Sequence, residues 1–252
     1  MKKHRLYAVL AAMSVAFALV LAGCQQPSSS GSDSSGDSGN TGGGDSVAVD
    51  WSKAAVGDIV LTDGTFVTAA SFTGEMKGKA AAVIVRAKSE EKPALGVGIH
   101  HNRSGLAWCI SSAGGYNKNI TALQSSNCTD GSDGWEKLKA ACTDAETNPE
   151  NYPAWNFCNT YAKNYGLTGD LATGWYLPTV AELNTIYENK DKIGASLGLA
   201  GGDSFGTSWY WSCCQSFSYD DSVYIFDFDH GGTVDARKHY NDYYVCSVRA
   251  FN

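Results

Sequence analysis

Several kinds of functional signature are missing from this chain of 252 residues. Beyond residue 23 it has no cluster of basic residues, and its formal net charge is -7. Phosphate arrays attract cationic surfaces, so neither nucleic acid nor an anionic lipid surface is an expected partner. No two cysteines have Cys-x-x-Cys spacing, which removes the usual zinc framework. Glu-Pro-Asn, Gln-Pro-Asp and Trp-Asn-Asp triplets are absent too, so sugar binding through calcium is not expected. No internal repeat is visible. No metal, no cofactor and no catalytic residue are expected, and a Ser-His-Asp site finds no support.

What is present begins with a targeting segment. Lys2, Lys3 and Arg5 precede an apolar stretch from Leu6 to Leu21, and Leu21-Ala22-Gly23-Cys24 follows. The arrangement resembles a bacterial lipoprotein signal, in which Cys24 becomes the acylated first residue; the run is too short and ends wrongly for a spanning anchor. Residues 1–23 read as signal peptide, and their removal takes away three cations, bringing the formal charge from -7 to -10. Residues 24–48 are mostly Ser, Gly and Asp and read as a flexible tether. The expected location is exported and lipid-anchored, on the outer-membrane cell surface, with the membrane engaged through the lipid.

Residues 49–252 are enough for one domain with a sizeable core. Val56 to Phe66 reads as two short β runs turning at Asp63-Gly64, and Ala80 to Ala87 as a buried strand. Leu95 to Ile99 and Gly105 to Ile110 read as a strand pair joined by a loop at His100-His101-Asn102-Arg103; the two histidines are assigned to that loop rather than to a metal. Ser111 to Gly134 reads as loop. Helical spacing predicts helices over Trp135 to Ala145, over Pro153 to Tyr165, and from Thr179 to about Ile193, where Thr179 and Glu182 make a capping box. Strands, then helices, then strands give an α+β class: an antiparallel sheet with two or three packed helices. Cys24 aside, the seven cysteines are odd in number. Cys158 with Cys246 is one disulfide candidate, and buried free thiols are the other reading.

The last stretch, from about 206 to 252, combines a strong β framework with polar inserts. Trp209, Trp211, Tyr224, Phe226, Phe228, Val245, Val248 and Phe251 suit a core, and His230-Gly231-Gly232 suits a hairpin turn. Asp227-Phe-Asp-His-Gly231 lacks the further oxygen ligands of a calcium loop. Between the framework positions lie Cys213, Cys214, Ser216, Ser218, Asp220, His230, Asp235, Ala236, Arg237, His239, Tyr240, Asn241, Asp242 and Tyr243, which no packing rule selects. That layout suits a presented surface.

Gly174-Trp-Tyr-Leu-Pro-Thr-Val-Ala-Glu-Leu183, Trp209-Tyr-Trp-Ser212 and the closing Val245-Cys-Ser-Val-Arg249 resemble the C-type lectin fold in its formylglycine-generating-enzyme-like branch. More narrowly, they resemble the variable proteins diversified by retroelements. The resemblance implies that reverse transcription rewrites adenine-bearing codons near the 3′ end. An AAC codon can then become Asp, His, Tyr, Ser, Ala, Arg, Cys or Gly but not Trp or Lys. Thirteen of the fourteen inserts belong to that set and Asn241 is what AAC itself encodes, whereas Lys238 and the tryptophans do not belong and are expected to be fixed. The implied function is display of a variable ligand-binding face by a monomeric surface lipoprotein, its partner a protein or glycan that differs between clones. A fixed-sequence lectin-like lipoprotein and a formylglycine-type oxidase using Cys213 and Cys214 are the alternatives. Adjacent cysteines on a strand point apart, which counts against the oxidase.

Overall fold

The computed structural model describes residues 48–252, except 125 and 127. The signal peptide, Cys24 and the tether lie outside the described residues. Among those described, no helix is long and apolar enough to cross a membrane.

The architecture is mixed α+β, dominated by antiparallel pairing. In chain order the elements are β1 (Ile59–Leu61), β2 (Phe66–Val67), β3 (Ala80–Arg86), β4 (Ala94–Leu106), α1 (Gly134–Ala141), α2 (Asp144–Thr147), α3 (Pro153–Asn159), α4 (Tyr161–Asn164), β5 (Trp175–Tyr176), α5 (Val180–Glu188), α6 (Lys190–Ala200), β6 (Trp209–Gln215), β7 (Ser222–Asp227), β8 (Thr233–Arg237) and β9 (Tyr243–Phe251). The sheet order is β2-β1-β3-β4-β9-β6-β7-β8, with β5 also on β9. All pairs are antiparallel except β6 with β9, which meet in parallel at Tyr210 and Tyr244.

The final strand is therefore central, and both faces of its neighbourhood are covered. Val83, Val85, Leu95, Val97 and Val248 pack with Leu183 and Ile186 of α5 and Ile193, Leu197 and Ala200 of α6. Their alternates Ala82, Ile84 and Ala94 pack with Tyr161, Leu171, Trp175 and Phe251. Period-2 alternation along β3 thus feeds two cores. Gly98 leaves the room that the Tyr161 ring fills, and the Tyr161 hydroxyl accepts from the His100 amide at 3.1 Å.

Most expected elements are where the sequence puts them. The Asp63-Gly64 turn joins β1 to β2 with Gly64 at φ 86°, and β3 is buried along nearly its whole length. The capping box forms: the Glu182 amide donates to Thr179 Oγ1 at 3.1 Å and the Thr179 amide to Glu182 Oε2 at 2.8 Å. Tyr176 secures the same carboxylate through its hydroxyl at 2.8 Å.

Several segments differ, among them the strand read over 105–110, of which only Gly105 and Leu106 are strand. The helical segment from Thr179 does not end near Ile193. Asn189 interrupts it, with its side chain donating to the Thr185 carbonyl at 3.0 Å, and α6 runs on to a left-handed Gly201. Gly194 and Gly198 lower the local helix propensity there, and burial of Ile193, Leu197 and Ala200 overrides it. The helices over Trp135 to Ala145 and Pro153 to Tyr165 are each broken in two, at Cys142–Thr143 and at Thr160, whose hydroxyl bonds the Asn156 carbonyl at 2.6 Å. The predicted loop at 100–103 is strand: β4 is continuous for 13 residues. His101 pairs with Cys246 across the sheet and its ring is buried against Phe205 and Tyr210, with Nδ1 3.0 Å from the Tyr210 hydroxyl.

His101 generates a prediction. Burial is the largest influence on it and drives its pKa from 6.5 down to about 3; nearby Asp203 opposes this, while Arg103 and His100 add to it. The folded value lies below the unfolded one, so between them the unfolded chain binds a proton that the folded chain does not. This contribution is fully present above pH 6.5 and is lost as pH falls toward 3, at up to ~1.4 kcal/mol per pH unit. Urea melts of wild type and His101→Gln at pH 7, 5 and 4 should show a shallower acid decline in the variant; parallel declines would contradict it.

Candidate functional site

The fourteen predicted surface residues divide by burial. Cys213, Cys214, Ser216 and Ala236 are all buried, at 4% exposure or less, so they cannot contact a partner and leave the candidate set. Ser218, Asp220, His230, Asp235, Arg237, Tyr240, Asn241 and Asp242 are exposed, while His239 and Tyr243 are half-buried. The framework expectation holds: Trp211, Phe226, Phe228, Val245, Val248 and Phe251 are buried, with Trp209 and Tyr224 half-buried.

The error at 213–216 has a physical cause. From Trp211, paired with Ile225, to Gln215, paired with Val223, β6 advances four residues while β7 advances two. The extra residues form a bulge, in which strict alternation of side chains fails. Its polar groups are bonded off the ladder. The Cys213 amide donates to the Pro178 carbonyl at 2.8 Å, the Cys214 amide to Ser212 Oγ at 3.1 Å, and Trp108 Nε1 to the Ser212 carbonyl at 3.1 Å. Cys213 and Cys214 therefore both point inward, where their sulfurs meet Cys128. Hydrogen bonding from Cys128, then from Cys213 and the Val180 amide, holds Cys214 well down in pKa, whereas burial pushes Cys213 up. The seven described cysteines are free and buried; Cys158 Sγ lies 3.6 Å from the Cys246 carbonyl.

Two buried polar side chains support the exposed set. Gln215 Nε2 donates to the carbonyls of Tyr219, Asp220 and Ser222, tying down the loop after β6. Lys238 is fully buried just after β8. Its ammonium donates to the carbonyls of Gly115, Lys118 and Asp220 at 2.9, 2.8 and 2.8 Å and lies 5.1 Å from the Trp108 ring centre. Burial lowers its pKa to about 8, which leaves it charged at neutral pH. One cation thus joins three loops.

On that support the exposed residues converge. Tyr219, Asp221, Asp235, Arg237, Tyr240 and Tyr243 line a hollow of ≈ 380 Å³, across which Arg237 Nε reaches Asp221 at 3.5 Å. Alternation on β8 sends Asp235 and Arg237 outward and Ala236 in. His239 and Asn241 line a second hollow, of ≈ 410 Å³, with Leu106, Ala107 and Pro153. Gly105, at φ 80°, has no room for a side chain beneath the Asn241 carbonyl. His230 lies elsewhere, at the β7–β8 turn, with Nδ1 3.1 Å from Asp227 Oδ2. Phe217 and Tyr219, 51% and 59% exposed, were missed by sequence reasoning; aromatic residues between Ser216 and Asp220 were the available signal. Gly202-Asp203-Ser204-Phe205-Gly206 has the spacing of a hydrolase nucleophile elbow, but it leads from α6 toward a strand, whereas that elbow leads from strand to helix.

Lys238→Met keeps the stem volume and removes the donors to three carbonyls, of which the Asp220 carbonyl alone keeps a second donor, Gln215. Stability in urea should fall by about 3 kcal/mol or more, with amide exchange accelerated in the loop after β6. An unchanged midpoint would show that water replaces the ammonium.

No protein-family model matches the chain, and no curated protein does. Among solved structures it is similar to a fimbrial protein from Bacteroides ovatus, at 12% identity and a TM-score of 0.58. The match covers 79% of this chain and 49% of that one, so this chain spans about half the length of its neighbour. At that identity the likeness concerns the fold, a mixed α+β architecture built on a large sheet.

Proposed function

We propose that this chain is an exported lipoprotein, anchored through Cys24, that presents a variable ligand-binding face on a C-type lectin scaffold of the formylglycine-generating-enzyme-like branch. It would be diversified by a retroelement, as in variable proteins such as the treponemal variable lipoprotein. The mechanism is binding rather than catalysis. What carries the reading is the division of one segment into two populations. Asp235, Arg237, Tyr240, Asn241 and Asp242 face solvent, while Trp211, Ile225, Val245 and Lys238 of the same segment are buried.

Side chains that leave the core can be exchanged at little cost in stability, usually within about 0.5 kcal/mol. Their backbone is meanwhile held by Lys238 and Gln215, neither of which an AAC-type codon can encode after adenine substitution. The mixture of Tyr, Asp, Arg and His also has the character of a paratope: rigid amphipathic anchors beside adaptable polar groups. The partner class is a protein or glycan surface. The fimbrial neighbour is in keeping with surface display.

Sequencing the 3′ end of the gene across many clones, with the downstream kilobases, tests this reading. Substitutions should concentrate in the codons for residues 218, 220, 235, 237 and 239–243 and spare those for 213, 214, 216, 236 and 238. A near-copy template and a reverse-transcriptase gene should lie nearby. Identical clones would sink the diversification and leave a fixed binding module.

A further inference from the structure

The β6 bulge has a second consequence. The Sγ atoms of Cys128, Cys213 and Cys214 all lie within 4.8 Å of one another, and those of Cys128 and Cys213 are 3.1 Å apart. The three residues are 3%, 0% and 1% exposed. Cys128 comes from the loop ahead of α1, and its partners lie 85 and 86 positions further along the chain. Neither sequence spacing nor strand alternation foretells this meeting; the bulge creates it.

We propose that these three sulfurs form a binding site for one divalent, thiophilic d10 cation of the zinc class. The inference is independent of the variable-face reading. Zinc–sulfur bonds of about 2.3 Å in a tetrahedral arrangement place sulfurs about 3.8 Å apart, within the span these three already cover. Thiolates select soft or borderline ions over calcium and magnesium, which require oxygen ligands.

Charge favours a divalent ion. Three thiolates with a dication leave one net negative charge in the buried site, whereas a monovalent ion leaves two. The Val180 amide, in the first turn of α5, points at Cys214 Sγ from 3.4 Å and would offset part of the remaining charge.

Among the described residues no fourth His, Cys, Asp or Glu joins the group, so the fourth position falls to water or an exogenous donor. As three metal–sulfur bonds form, the thiol protons pass to solvent and nothing is oxidised. The ion would join the Cys128 loop to β6, directly behind the loop that Gln215 holds.

The test uses the full-length chain in detergent, reduced, chelator-treated and kept anaerobic. Titration with cadmium should produce a thiolate-to-metal charge-transfer band that saturates at one equivalent and is weakened only by a large excess of zinc, the harder ion. Cys128→Ser, Cys213→Ser and Cys214→Ser should each weaken binding by at least about 100-fold, the upper end of what losing a mere outer-shell partner costs. Cys109→Ser and Cys142→Ser should leave it intact. Because a serine variant can fail to fold, X-ray absorption of the zinc-loaded wild-type chain supplies a second readout. Three sulfur neighbours at about 2.3 Å support the site. A nitrogen and oxygen shell, no cadmium band in the reduced wild type, or a band that survives in all three folded variants overturns it.

Discussion

The structure depends on β9, the strand that closes the chain and lies in the middle of the sheet. It pairs antiparallel with β4 from Phe251 opposite Ala94 to Tyr243 opposite Leu106, carries β5, and meets β6 at Tyr244. A central strand built from the last residues means that the first and last parts of the domain hold each other. The helices between them have to close over its faces. That placement also sets a limit on what can change. Residues 245–248 are buried in succession, so exchange at any of them would open a cavity or strand a polar group in the core. Exchange is tolerable only before Tyr244, in the loop after β6, in β8 and in the turn that follows.

What was legible in the sequence was whatever a single segment decides for itself. The Thr179–Glu182 capping box is local chemistry four residues long, and it forms as read. The Asp63-Gly64 turn and the apolar run of β3 are equally self-contained. What was not legible depends on a distant partner. His100 to Arg103 are polar and resemble a loop, yet the backbone is strand because Cys246 and Val245 pair with His101 and Asn102, and because Tyr161 and Asp203 take the amides of His100 and His101. Polar residues in a strand can be anticipated only once the groups that satisfy them are known.

The candidate site was half legible for the same reason. At the end of β8 alternation holds, so Asp235 and Arg237 face outward as expected; even there Ala236, between them, faces in and leaves the set. On β6 the bulge breaks alternation, and Cys213 and Cys214 turn inward, with Ser216 buried just beyond the strand, although their composition suited a surface. A bulge leaves almost no trace in composition. Its sign is the mismatch of four residues against two, which appears only when both strands are in view.

Lys238 and Gln215 resolve an apparent conflict between adaptability and rigidity. A binding face gains affinity when its main chain is already ordered, because ordering it during association costs free energy. A face whose side chains change cannot rely on those side chains to order it. Here the ordering comes from beneath. Six of the hydrogen bonds that fix the loops run from two buried side chains to main-chain carbonyls, and a carbonyl is present whatever residue carries it. Asp220 illustrates the arrangement. Its side chain is exposed, while its carbonyl accepts from both Gln215 and Lys238. The backbone geometry is thereby separated from the identity of the side chains it displays, as the variable face proposed above would require.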